Sequence, residues 1–378
     1  MKRIYFDNAA TTPMLPEVID VMTEIMMNEF GNPSSIHYHG RKARSVIENA
    51  RKSVARLLNA SVGEIFFTGS ATESNNTILK TALESLGVKR FISSPTEHPC
   101  VLKSLAFLKK NKGTEVLFLD VDELGNPDLS QLESLLSGNK TTTLVSLMHG
   151  NNEIGTISDL QAIADICHRN QAFFHTDTVQ TLGKYPIDLN KTRISFLSGS
   201  AHKFHGPKGT GFMYINQENT ISPYIHGGSQ ERNMRAGTEN VAGIAGLSKA
   251  LEISCAAMEE NRRYILTLRE TFKGKLEQTF SDIRFNGNQE GDFLTHVLNV
   301  SFPPGPKADM LVHNLDIAGI SCSSASACSS GVEEDSHVLQ SIGHDPNRKA
   351  IRFSFSHLNT LEEVEEAITR MENLTPKQ

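Results

Sequence analysis

Between about residues 60 and 215, short apolar runs alternate with segments whose apolar residues recur at helical spacing. The runs EIFFTG (64–69), RFISS (90–94), EVLFLD (115–120), TLVSLMH (143–149), AFFHTD (172–177) and RISFLSG (193–199) read as strands. Helices are expected over 73–85 and from about 98 to 109. SDLQAIADICHRN gives a third, with Ser158 or Asp159 as its N-cap. Such alternation predicts a mainly parallel sheet covered by helices, an α/β architecture. Ligands of such sheets sit at the carboxyl ends of the strands. TGSAT, HGNNE, TDTVQ and SGSAHK therefore share one rim.

Beyond about residue 255 the pattern changes. A long charged helix (259–278) precedes HVLNVSF, a helical segment (308–319), the loop SCSSASACSSG, a short helix near 336–342 and the alternating strand AIRFSFS. The expected division is a large domain over 13–256 and a smaller α+β domain. The smaller domain takes in 1–12 and 257–378 and carries Cys328 and Arg352. No internal repeat is visible.

Composition narrows the function without naming it. The 378 residues are 38% hydrophobic and 21% charged, enough for a large core and a second domain. A net charge of −6 gives no reason to expect nucleic acid or an anionic membrane as partner. Five cysteines, an odd number, do not make a disulfide framework and fit a reducing cytoplasm. MKRIYF has no apolar signal core, and no run reaches the length of a membrane span. A soluble cytoplasmic protein is expected.

The candidate chemistry lies on the shared rim. Lys203 follows a strand and is flanked by Ser200, His202 and a glycine-rich turn, a setting in which an amine can form a Schiff base with an aldehyde. Taken alone it also reads as a solvated turn lysine. Asp177 ends AFFHTD, where a carboxylate can hold a protonated ring nitrogen, and Gln180 follows three residues on; Asp177 as a plain helix cap is an equal reading. Ser70 and Thr72, with the first-turn N–H groups of the next helix, suit a phosphate, or are simply a good cap. His98 can stack on a ring and exchange protons, or be an ordinary loop histidine. Asn151 and Asn152 end another strand, where amides bond ligands or merely form turns. Arg352 can grip a carboxylate bidentately, or lie exposed on its strand.

Cys328 sits in a loop of small polar residues, where a thiol is accessible and a nearby cation favours the thiolate. Cys322, six residues earlier, admits a disulfide or half a metal site. The spacing does not match the Cys-x₂₋₄-Cys pairs of zinc, and an inert thiol is expected. No metal site is expected.

Taken together, YFDNAATTP, GNPSS, FTGSATESNN, TEHPCV, MHGNNEIG, HTDTVQ, SGSAHKFHGPKG, GGSQERNMRAGTEN and IRFS occur in the order and spacing of one family. The chain resembles a cysteine desulfurase of the NifS-like group, in the class V aminotransferase family of fold-type I pyridoxal phosphate (PLP) enzymes. The resemblance implies that Lys203 carries the cofactor, His98 stacks on it, and Asp177 and Gln180 meet the pyridine nitrogen and phenolic oxygen. It implies a phosphate cradle of Ala71, Thr72, Ser200 and His202. Thr238 is similar to a threonine that reaches the phosphate in the neighbouring subunit, so a homodimer with shared sites is expected. Asn152 and Arg352 match the residues that orient L-cysteine and hold its carboxylate. Cys328 falls at the persulfide cysteine, which passes sulfur to an acceptor protein. Ala201, where glycine is frequent, and Cys322 depart from the common pattern. The sequence given ends at TPKQ, without the longer tail of members dedicated to scaffold-based assembly, so tRNA or cofactor thiolation stands beside iron–sulfur cluster assembly as the expected destination. An aminotransferase would have no use for the Cys328 thiol; selenocysteine lyase, cystine lyase and a relay or scaffold protein without turnover are the other readings.

Overall fold

In the computed structural model, residues 2–305, 310–324 and 336–372 are described. The large sheet runs Ile65–Thr68, Gly211–Ile215, Phe196–Ser200, Phe173–Asp177, Thr143–Ser146, Arg90–Ser93 and Glu115–Phe118 in spatial order. The last five pair in parallel. Gly211–Ile215 is antiparallel to both its neighbours, so Ile65–Thr68 again points the same way as the parallel set. Every strand except Gly211–Ile215 thus ends on one rim, as the α/β reading requires.

The near-continuous apolar strands follow from burial on both faces. Side chains alternate across a strand. Phe67, Ile92, Val145, Leu197 and Phe212 pack on one face with Val18, Ile47, Ile163 and Leu247. Their neighbours Phe66, Phe91, Leu144, Phe196 and Met213 pack on the other with Ile78, Leu79, Val101 and Leu105. Asp159 caps its helix, accepting a hydrogen bond from the Ala162 N–H.

A second core lies on an antiparallel sheet in the order Ser323–Ser324, Lys349–Ser354, Val297–Phe302 and Arg284–Asn286. Helices Met258–Thr279 and Leu361–Glu372 cover it, through Leu268, Phe272, Leu276, Val364 and Ile368. The chain's start joins this core rather than the first. Ile4–Tyr5 pairs in parallel with Ile320–Ser321, and the Phe6 ring packs against Phe272 and Phe355. The segment that follows, from Asp7, crosses from this core to the rim. The helix expected over 308–319 is described over Leu311–Ile317. Among the described residues no single helix is long and apolar enough to cross a membrane.

Candidate active site

The rim encloses a cavity of about 360 Å³, within the range of small-molecule sites. Ala71, Thr72, His98, Asn152, Asp177, Gln180, Ser200, His202, Lys203 and Arg352 all line it. Five loops and one strand of the second sheet therefore bring ten of the expected residues together. Thr238 lies elsewhere, exposed on the turn after Gly237. Cys328 falls outside the described residues.

Asp177 is fixed from two sides. Asn75 Nδ2 donates to Oδ2 at 2.8 Å, and the Val179 N–H donates to Oδ1 at 3.0 Å. Asn75 is itself clamped, because its Oδ1 accepts from Ser198 Oγ and His175 Nε2. Such an oriented carboxylate is an acceptor for a protonated ring nitrogen. Lys203 Nζ donates to the carbonyls of Ala9 and Ala10, each at 2.7 Å. Gln180 Nε2 donates to the same Ala9 carbonyl at 3.0 Å, and its Oε1 meets His296 Nε2 at 3.0 Å. Burial lowers the pKa of His98, and burial followed by the Lys203 charge lowers His202 to about 4. Both rings are neutral near pH 7.

Arg352 projects from Lys349–Ser354 into the wall. Nη1 donates to the Asn152 carbonyl at 3.0 Å and Nη2 to Asp7 Oδ1 at 2.9 Å. Its Nε is buried and has no hydrogen-bond partner among the described residues. A buried guanidinium donor without a protein acceptor suits an anionic ligand group.

These residues fit pyridoxal phosphate. Ser70 caps helix Ala71–Ser85, accepting from the Glu73 N–H at 3.2 Å, and the helix opens at the cavity with the first-turn N–H groups that favour phosphate. Gly211 makes room for this turn. A Cβ there would lie 3.0 Å or less from Ser70 Cα and from two further backbone atoms. An amine, a fixed carboxylate, a neutral imidazole and an anion cradle thus share one wall.

Several residues at the site, on its wall or directly behind it, carry no role in the sequence reading. Asp7 lies within the quoted YFDNAATTP, and Asn75 one helical turn beyond Ala71, a spacing that places both on one face. Cys100 and Glu153 also line the cavity. Asn151 proves to be a turn former, its Oδ1 accepting from the N–H groups of Glu153 and Ile154. Cys322 packs at the edge of the second core, and burial pushes its thiol up to about 12, so it stays protonated.

A mainly parallel sheet with a lysine, an aspartate and an anion cradle on its carboxyl rim defines a fold-type I architecture. The chain belongs to the aminotransferase class-V family, which matches residues 4–367. It is 42% identical to cysteine desulfurase IscS of Dictyoglomus turgidum, over 100% of this chain and 96% of that protein. It is 40% identical to a putative cysteine desulfurase of Bacillus subtilis, over 97% of each. A NifS-like protein of known structure superposes with a TM-score of 0.91 at 38% identity, covering 98% of both chains. SspA in complex with cysteine superposes with a TM-score of 0.80 at 32% identity, over 93% of this chain and 98% of that one.

Proposed function

We propose that the chain is a PLP-dependent cysteine desulfurase. It converts L-cysteine to L-alanine and holds the sulfur as a persulfide on Cys328. The observation that carries this is the joint presence of Lys203, Asp177, His98 and Arg352 on one cavity wall. The cysteine desulfurases among its relatives, and the cysteine bound in SspA, support the choice of substrate.

When bound, PLP supplies an aldehyde and a ring that takes up electrons from the amino acid. Lys203 Nζ would hold the aldehyde, and its free amine would be placed to take the substrate Cα proton. Asp177 would keep the ring nitrogen protonated, and Gln180 would meet the phenolic oxygen. Ala71, Thr72, Ser200 and His202 would hold the phosphate, and His98 would cover the ring. Arg352, with Asn152, receives the substrate carboxylate. The Cys328 thiolate attacks the substrate sulfur; the new S–S bond forms as Cβ–S breaks. The electron pair left on Cβ takes a proton, and Lys203 returns the proton to Cα, giving alanine.

The same reading makes the protein a homodimer, with Thr238 completing the partner's phosphate site. Support comes from a stretch of the chain with exposed large apolar side chains, Met26, Met27, Phe30, Ile36 and Tyr38, that a lone chain would leave in water. It divides the chain into 13–256 and 1–12 with 257–378, in line with the two separate cores. Free thiols at Cys100, Cys167, Cys255 and Cys322 accord with a reducing cytoplasm, where an acceptor protein collects the sulfur.

The test is release of alanine and sulfide from L-cysteine by PLP-loaded protein with a reductant. Equal amounts are expected from the wild type, with near loss in Cys328→Ala although its PLP absorbance persists. Full activity in that variant would replace the persulfide route with a direct lyase.

A further inference from the structure

His98 is at once a wall of the cavity and the N-cap of helix Pro99–Lys112, and the second role constrains the first. Its Nδ1 accepts the Cys100 backbone N–H at 3.2 Å. An amide N–H can only donate, so in the neutral ring Nδ1 is bare and Nε2 carries the hydrogen. Cys100 makes a second contact with the same atom, its Sγ lying 3.0 Å from Nδ1.

The direction of that second contact follows from its neighbours. Asn75 Nδ2 stands 3.2 Å from Sγ. The Asn75 amide cannot be turned round, because Nδ2 also faces the Asp177 carboxylate while Oδ1 receives Ser198 and His175. Asn75 therefore donates to the sulfur, as does the Thr72 hydroxyl, and the thiol hydrogen is left for Nδ1. Burial pushes the Cys100 thiol up to about 12, so that hydrogen stays in place at neutral pH. One directed chain runs from Asn75, which holds Asp177, through Cys100 to His98.

We infer that Cys100 is a positioning residue that locks His98 as its Nε2–H tautomer. The ring then presents the cavity with a hydrogen-bond donor, and Lys203 alone supplies the base. Taking up a proton would cost His98 both bonds from Cys100 and place a cation at the positive end of a helix. The charged groups around the ring divide. Asp177 favours the imidazolium, whereas Lys203 and His337 oppose it, and burial outweighs all three. Glu97, the preceding residue, is buried, and that burial pushes its carboxyl well above the usual carboxylate range. A neutral N–H donor suits an electron-rich sulfur or oxygen atom beside it. The role in the reaction rests on the desulfurase reading; the tautomer does not.

The test is imidazole nitrogen–proton NMR on the full chain labelled with nitrogen-15 in histidine, before and after PLP is added. His98→Gln assigns the signal by its loss. Expected is a bare Nδ1 and a protonated Nε2 throughout about pH 6 to 8. Cys100→Ala removes the thiol donor and should raise the His98 pKa by about 0.5–1 unit, the weight of one hydrogen bond. Cys100→Ser, which keeps a donor, should restore it. A hydrogen on Nδ1 or an imidazolium at pH 7 would overturn the inference. An unmoved pKa in Cys100→Ala would remove Cys100 from it. If Cys100→Ala does not fold, the wild-type and serine spectra still decide the tautomer. An intact tautomer in a protein that releases no alanine would instead sink the desulfurase reading.

Discussion

Arg352 and Asp7 stand 345 positions apart in the chain and meet in a 2.9 Å ion pair at the cavity wall. Asp7 Oδ1 also accepts from Ser323 Oγ at 2.7 Å, and the Asn152 carbonyl takes the other guanidinium arm. The fork is thus aimed before a substrate arrives, and its orientation costs little at binding.

Asp7→Asn keeps an acceptor but loses the charge. A weakening of about 1–1.5 kcal/mol corresponds to a roughly tenfold rise in KM for L-cysteine. kcat should change much less. Arg352→Lys abandons the planar fork altogether and should raise KM further, about 30-fold or more. Steady-state kinetics on both variants checks this. An unchanged KM in both would remove Arg352 from the substrate site.

The parts of the site carried by local pattern were legible in the sequence. Strand ends such as Phe173–Asp177 and Phe196–Ser200 could be placed because a buried parallel strand is a short apolar run closed by polar residues. The polar residues at those closures, Asp177 and Lys203 among them, proved to face one cavity. Long-range partners were not legible. Nothing near Arg352 in sequence points to Asp7, and nothing near Asp177 marks Asn75 as its clamp. Those pairings exist only once the sheet order is set. Likewise strand Gly211–Ile215 was not among the expected runs, and its antiparallel direction is a property of the fold. Helices Tyr38–Leu57 and Val241–Ala256 were not among the expected elements. The second is apolar nearly all round, because it is packed between neighbours and leaves no polar face to give it a period.

Acid should destabilise the protein through its buried histidines. Burial lowers His149 to about 4 and His175 to about 3, against about 6.5 in an unfolded chain. As pH falls below 6.5, the unfolded chain binds protons that the folded chain refuses. Their contribution is complete above pH 6.5 and is lost as pH falls toward 4. Each should give a slope of about 1.4 kcal/mol per pH unit. Glu97 and Glu153 work in the opposite sense, since burial raises both, and their contribution is lost as pH rises. The measurement is therefore a difference. Urea unfolding of His149→Gln between pH 6.5 and 4.5 should show a slope shallower than wild type by about 1.4 kcal/mol per unit. Parallel slopes would mean that His149 is not held neutral by the fold.

The turn that leads to Thr238 is held by a buried ion pair, and breaking one side of it should loosen the turn. Glu231, Arg232 and Asn233 have φ of 44°, 58° and 66°, three consecutive left-handed residues without a glycine. Each such residue costs of order 1–3 kcal/mol unless its surroundings enforce it. Here the Glu231 carboxylate binds Arg51 at 2.7 and 2.8 Å and accepts the Phe67 N–H at 2.8 Å. The two side chains are only 2% and 3% exposed. Glu231→Gln leaves the buried Arg51 guanidinium with only the half-exposed Glu48 carboxylate, 3.3 Å from Nε, as counter-charge, a loss of about 3 kcal/mol. Urea unfolding should show that loss, and limited proteolysis should cut within 227–240 sooner than in wild type. Replacing both partners, Arg51→Met with Glu231→Met, removes the uncompensated charge and should recover much of the global stability. The turn should stay loose, because the carboxylate that holds the Phe67 N–H is still missing. Wild-type stability and wild-type proteolysis in Glu231→Gln would show that the pair neither holds the left-handed turn nor positions Thr238.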